Sequence, residues 1–163
     1  MRTVCLVGLV VTVTFAAADA QPRSPDPQRQ GIASVLPPDW VLQPPDPNGH
    51  RKHLTSPDGS ASLTVLEDRA DTNIGAYMRS VAERDGERVT YRRRGQGWIV
   101  ASGFNGDRIF YRKAMLACHD TVWHQIAFEY PAAQKLSYDR FVTRAEKALA
   151  AHRNDGCPPT ARR

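Results

Sequence analysis

Along much of the chain apolar residues fall at every second position, the spacing of a strand with one buried face, and in two stretches they recur about once per helical turn. Lys52 to Ser56 and Ala61 to Glu67 read as strands. Pro57-Asp58-Gly59-Ser60 stands between them; proline presets one turn dihedral and glycine accepts a positive φ, so a hairpin is predicted. In the returning strand Leu63 and Val65 alternate with Ser62, Thr64 and Leu66. A helix follows, capped by Thr72 or Asn73, with Ile74, Tyr77, Met78 and Val81 as its apolar stripe and Arg79, Glu83 and Arg84 on its wet side. Gly86 is the predicted end of that helix. Four more strands come next, Glu87 to Arg93, Trp98 to Phe104, Arg108 to Leu116 and Val122 to Tyr130. Their separators, Gly95-Gln96-Gly97, Asn105-Gly106-Asp107 and Cys118-His119-Asp120, are too short for a crossover helix, so neighbours must run antiparallel. Pro131 closes the last strand. A final helix is predicted from the cap Ser137 to about Asn154, with Phe141, Ala145, Ala148, Leu149 and the stem of His152 facing inward and Gly156 as a left-handed cap. Hairpin, helix, meander, helix is the order of an α+β domain, a twisted antiparallel sheet flanked by two main helices.

Upstream the pattern changes. Arg2, the apolar run Val4 to Ala18 and the small residues of Ala18-Asp19-Ala20 have the form of a cleavable secretory signal over residues 1–20, leaving Gln21 as the mature N-terminus. The run falls short of the roughly 20 residues a comfortable membrane span needs. Cys5 lies inside it without the small residues of a lipoprotein cleavage site, so lipidation is not expected. A secreted or periplasmic location follows. Most of the prolines cluster between Pro22 and Pro47. Residues 21–31 read as a proline-rich tether with too little apolar surface to offset the entropy of ordering. Residues 32–157 form the predicted domain, with Trp40-Val41-Leu42 as a short first strand, and residues 158–163 a disordered tail.

Charge and cysteines add two expectations. The 22 basic and 17 acidic residues give +5, unchanged by loss of Arg2 and Asp19. A basic balance favours an acidic protein or an anionic envelope component; nucleic acid is the least accessible partner outside the cytosol. Signal cleavage leaves Cys118 and Cys157, one after a strand and one after the last helix, and an oxidising compartment predicts a disulfide between them.

Leu54-Thr55-Ser56-Pro57-Asp58-Gly59, Trp98-Ile99-Val100-Ala101-Ser102-Gly103 and Arg108-Ile109-Phe110-Tyr111-Arg112-Lys113 resemble the PsbP-like fold, named for an extrinsic protein of photosystem II, and a group of uncharacterised secreted bacterial domains associated with it. The resemblance covers about Pro38 to Arg153. It implies an α/β/α sandwich and non-enzymatic roles in binding or assembling other proteins. It carries over no catalytic or metal-binding residue.

The chemistry visible in the sequence is thin. No phosphate-binding loop, dinucleotide glycine fingerprint, HExxH, GxSxG or CxxC occurs. His50 and His53 are close enough to share zinc or copper, but no further ligand lies near them. His124 alternates with Val122, Ile126, Phe128 and Tyr130, the place of a core or rim histidine. Ser102, His124 and Asp107 can be nominated as a hydrolase triad, although Ser102 sits within a strand rather than on a sharp exposed turn. Trp40, Trp98 and Trp123 read as core or core rim before they read as a ligand wall. No cofactor is expected. In the strand from Glu87 onward, simple alternation places Val89 and Tyr91 on one face and Arg88, Thr90, Arg92 and Arg94 on the other, a ridge suited to carboxylates or phosphates. Its plainer reading is a solvated or aggregation-proof edge. The predicted function is a non-catalytic extracytoplasmic module that binds a protein or envelope component, with Arg88, Arg92 and Arg94 as candidate contacts; the alternative is a small hydrolase-like enzyme.

Overall fold

A computed structural model describes residues 35–47, 49–70, 73–154 and 157. The expected signal, tether, domain start at Ile32, cap residue Thr72, Gly156 cap and tail lie outside the described residues.

Among the described residues seven strands form one sheet. They are β1 (Val41–Leu42), β2 (Arg51–Thr55), β3 (Ser62–Arg69), β4 (Arg88–Gly95), β5 (Trp98–Asn105), β6 (Arg108–Ala117) and β7 (Val122–Pro131), with helices α1 (Ile74–Ala82) and α2 (Lys135–Ala151). The order across the sheet is β1-β2-β3-β7-β6-β5-β4, and every pair is antiparallel. This is the α+β architecture the periodicity predicts. The β2–β3 turn is set by Asp58, whose Oδ1 accepts hydrogen bonds from the Ser56 hydroxyl and from the Ser60 hydroxyl and N–H, while Gly59 takes φ +69°. Those bonds, the one from Ser56 foremost, hold the Asp58 carboxyl down at about 2.

Two apolar clusters hold the helices. Leu54, Leu63, Ile109, Ile126 and Phe128 of the sheet pack with Trp40 and with Tyr138, Phe141, Ala145 and Leu149 of α2. Val81 and Ala82 of α1 pack with Ile99, Ala101, Phe110, Ala114, Leu116 and Trp123. Neighbouring β6 residues thus belong to different clusters, because successive strand side chains point to opposite faces. Trp123, Phe110 and Phe128 are fully buried, each contributing about 1.5–3 kcal/mol of transfer free energy. Trp40 is buried too and Trp98 half-buried. Tyr77 stacks on Trp123 with ring centroids 4.5 Å apart.

The helix limits correct the sequence reading. Helix α1 ends at Ala82, a turn before Gly86, since the Arg112 guanidinium takes the Val81 carbonyl at 2.8 Å and Glu83 is already extended. Gly86 instead makes the turn into β4 at φ +79°. Helix α2 begins at Lys135 behind a 3-10 turn at Ala132–Gln134, so Ser137 is inside the helix and no side chain caps it. The early start follows from burial of Tyr138 between Trp40 and Tyr130. Ile74 is 39% exposed and His152 is exposed; both lie one turn beyond the sheet contact their helices make.

Cys118 and Cys157 are joined by a disulfide with Cα atoms 5.2 Å apart. Two hydrogen bonds beside it, from Arg153 Nε to the Leu116 carbonyl at 2.6 Å and from the Cys118 N–H to Asn154 Oδ1 at 3.3 Å, fix the end of α2 to the end of β6.

Candidate functional site

Strand β4 ends the sheet, and its arginines do not form the single ridge that unbroken alternation predicts. Register with β5 is regular from Gly95↔Trp98 to Tyr91↔Ser102, then slips by one, so that Val89 pairs with Gly103 and Thr90 is a bulge. The extra residue reverses the faces. Arg92 and Arg94 pair with Ala101 and Ile99, on the α1 side of the sheet, whereas Arg88 pairs with Phe104 on the other. The Arg88 guanidinium lies over the Phe104 ring, 4.7 Å from its centroid. Arg92 instead reaches Glu83 at the end of α1 with an N–O distance of 2.5 Å. Gly103 is what allows the bulge: a Cβ there would sit 2.1 Å from the Arg88 carbonyl oxygen.

Helix α1 rests on β5 and β6 and leaves β4 as a ledge beside it. Between helix and ledge runs an open groove of about 370 Å³, floored by Met78, Ala82 and Ile99 and walled by Arg79 and the β4 residues Arg92, Arg93 and Arg94. Glu83 is the one acidic residue that lines it among the described residues. The Arg92–Glu83 pair is more than half exposed on both sides (53% and 59%), a setting in which an ion pair is weak and its partner exchangeable. Sequence reasoning missed Arg79. Its helical spacing says only that it points to water, and nothing local says that the water-facing side of α1 borders β4.

The remaining nominated residues are held elsewhere. Ser102 donates to the Phe110 carbonyl at 2.8 Å. It is in register with Tyr111 and Phe128, four residues along β7 from His124, roughly 13 Å at strand rise. Asp107 is in the β5–β6 turn. The three are not brought together. His53 Nδ1 is 3.0 Å from the Thr64 hydroxyl, and no group of three or more His, Cys, Asp or Glu suited to a metal occurs among the described residues. No helix among them is long and apolar enough to cross a membrane.

One charged group is buried that the sequence reading left unremarked. Arg112 is 1% exposed, paired with Glu87 at 4%, and its guanidinium sits over Phe110 with 4.3 Å to the ring centroid. Burial pulls its pKa below the ordinary guanidinium value while the Glu87 hydrogen bond pushes back. The signal was present, since Arg112 alternates with Phe110 and Ala114 on a core-facing side. The pair joins β6 to the segment between α1 and β4 and so fixes the two walls of the groove.

No protein-family model matches the chain, and no curated protein matches its sequence. Among solved structures, cyanobacterial PsbP (CyanoP) from Synechocystis sp. PCC 6803 aligns with a TM-score of 0.50 over 69% of this chain and 82% of its own, at 9% identity. LpqN, involved in cell envelope biogenesis of Mycobacterium tuberculosis, aligns with a TM-score of 0.45 over 69% of this chain and 78% of its own, at 12% identity. The chain has a PsbP-like fold.

Proposed function

We propose that the mature chain is a secreted or periplasmic, non-catalytic module that docks an acidic protein or an anionic envelope component on the α1 side of β4. The observation that carries this is the groove in which Arg79, Arg92 and Arg94 converge against one carboxylate. Planar guanidinium groups bind carboxylates and phosphates through paired hydrogen bonds, which suits them to such a partner. Arg88, turned to the other face by the bulge, leaves the contact set. The signal-like N-terminus and the disulfide support the extracytoplasmic location. We also read the two helices as lying on opposite faces of the sheet, a reading supported by neighbouring β6 residues joining different clusters. Affinity capture with the mature protein from its native compartment tests the docking. The captured partner is expected to be acidic or anionic and to elute as salt rises through the range that screens exposed charges. A partner that stays bound at high salt and carries no excess of acid overturns the proposal.

A further inference from the structure

We infer that the outer edge of β4 accepts an extended acidic segment of a partner protein as an added strand; this rests on the docking surface proposed above and specifies its occupant. Among the described residues the sheet has two edges. One is β1, only two residues long, and the other is β4, eight residues from Arg88 to Gly95. An edge strand turns every second N–H and C=O outward, where they bond an added strand. Strand β1 is too short to template such pairing. The bulge at Thr90 interrupts the ladder, so the regular template is Tyr91 to Gly95.

Charge and spacing select the partner. Arg92 and Arg94 are two residues apart on one face, roughly 7 Å at strand rise. A strand laid beside β4 has the same repeat, so carboxylates at its alternate positions fall opposite both arginines, within reach of Arg79 across the groove. On the other face Tyr91, 48% exposed, offers its ring to an apolar or aromatic residue of the added strand, and Arg93 offers a further charge. The same residues refuse a second copy of this chain: edge-to-edge pairing of two β4 strands sets arginine against arginine, which destabilises the ladder. An edge that guards against self-association thereby selects an acidic strand.

The test uses the folded mature chain and a fluorescent peptide as long as β4, with glutamate at alternate positions and threonine and tyrosine between them. Two further peptides carry the same side chains with methyl groups on alternate backbone nitrogens, one for each alternation. Binding is read by anisotropy at low salt, beside fluorescently labelled inorganic polyphosphate measured directly in the same way. Added-strand pairing requires that one methylated peptide bind at least about tenfold more weakly, the effect of losing two or so ladder hydrogen bonds. It also requires that the Arg92→Gln/Arg94→Gln protein lose the parent peptide and that amide exchange slow between Tyr91 and Gly95. Equal binding by the parent and both methylated peptides overturns strand addition and leaves a purely electrostatic surface. Failure of the parent peptide while polyphosphate binds also overturns it. Failure of every anionic probe removes the docking surface itself.

Discussion

Replacing Glu87 by Gln tests the device that fixes the groove. Arg112 and Glu87 are both buried, and the Arg112 guanidinium also holds the Val81 carbonyl at the end of α1. The substitution keeps shape and one hydrogen bond but leaves a positive charge at 1% exposure without its counter-ion. Removing one partner of a buried pair costs about 3–5 kcal/mol. For a domain of this size that is a large part of a total stability of roughly 5–15 kcal/mol. The Arg112 Nε atom has no acceptor among the described residues, so the site already carries an unpaired donor. Replacing both partners, Arg112→Met with Glu87→Leu, removes the charges together and should recover most of the loss. Urea unfolding of the oxidised protein measures all three. The reasoning is refuted if Glu87→Gln unfolds within about 1 kcal/mol of wild type, the range of an exposed pair, or if the double variant is less stable than the single one.

Three further outcomes follow from particular residues. Thiol labelling of the unfolded, non-reduced mature protein should find no free cysteine; the Cys118→Ser/Cys157→Ser variant should lose up to about 4 kcal/mol for a loop closed by a separation of 39 residues, and two labels per wild-type chain would contradict the bond. Gly103→Ala places a methyl group against the Arg88 carbonyl and should cost at least about 1–3 kcal/mol in the same unfolding assay, with a wild-type midpoint as the contrary result. Asp58 has a folded pKa lowered to about 2, so its contribution is present above its unfolded value near 4 and is lost as pH falls toward 2. Asp58→Asn should therefore flatten the stability profile in that interval, and an unchanged acid limb would contradict the turn geometry.

What the sequence could reveal followed the range of the interaction. Alternation and connections of two to six residues specify each hairpin locally, so β2–β3 and β4 through β7 were legible within a residue or two. Pairing of β3 with β7 at the middle of the sheet was not, because Leu63 meets Phe128 across a long stretch of chain that carries no local mark of the partner. The bulge was hidden for a different reason. Val89, Thr90 and Tyr91 all favour strands, and the slip is imposed by close passage of β4 over Gly103, a tertiary contact. Helix ends moved likewise: Arg112 satisfies the Val81 carbonyl that the early end of α1 leaves without an intrahelical donor, and Tyr138 draws the start of α2 ahead of Ser137. The candidate arginines could be named in sequence, but which of them share a face depended on one extra residue, and Arg79 joined them only through packing of α1.

Charge reversal on the two faces of β4 tests docking on the α1 side most directly. Arg92→Glu/Arg94→Glu and Arg88→Glu are compared with wild type for retention of the captured partner at low salt, with thermal unfolding as the control. Every one of these side chains is exposed, so the melting temperature should stay near that of wild type. The expected result is loss of the partner from the Arg92→Glu/Arg94→Glu protein and its retention by Arg88→Glu. Equal retention by the folded double variant, or loss confined to Arg88→Glu, would contradict docking on this face.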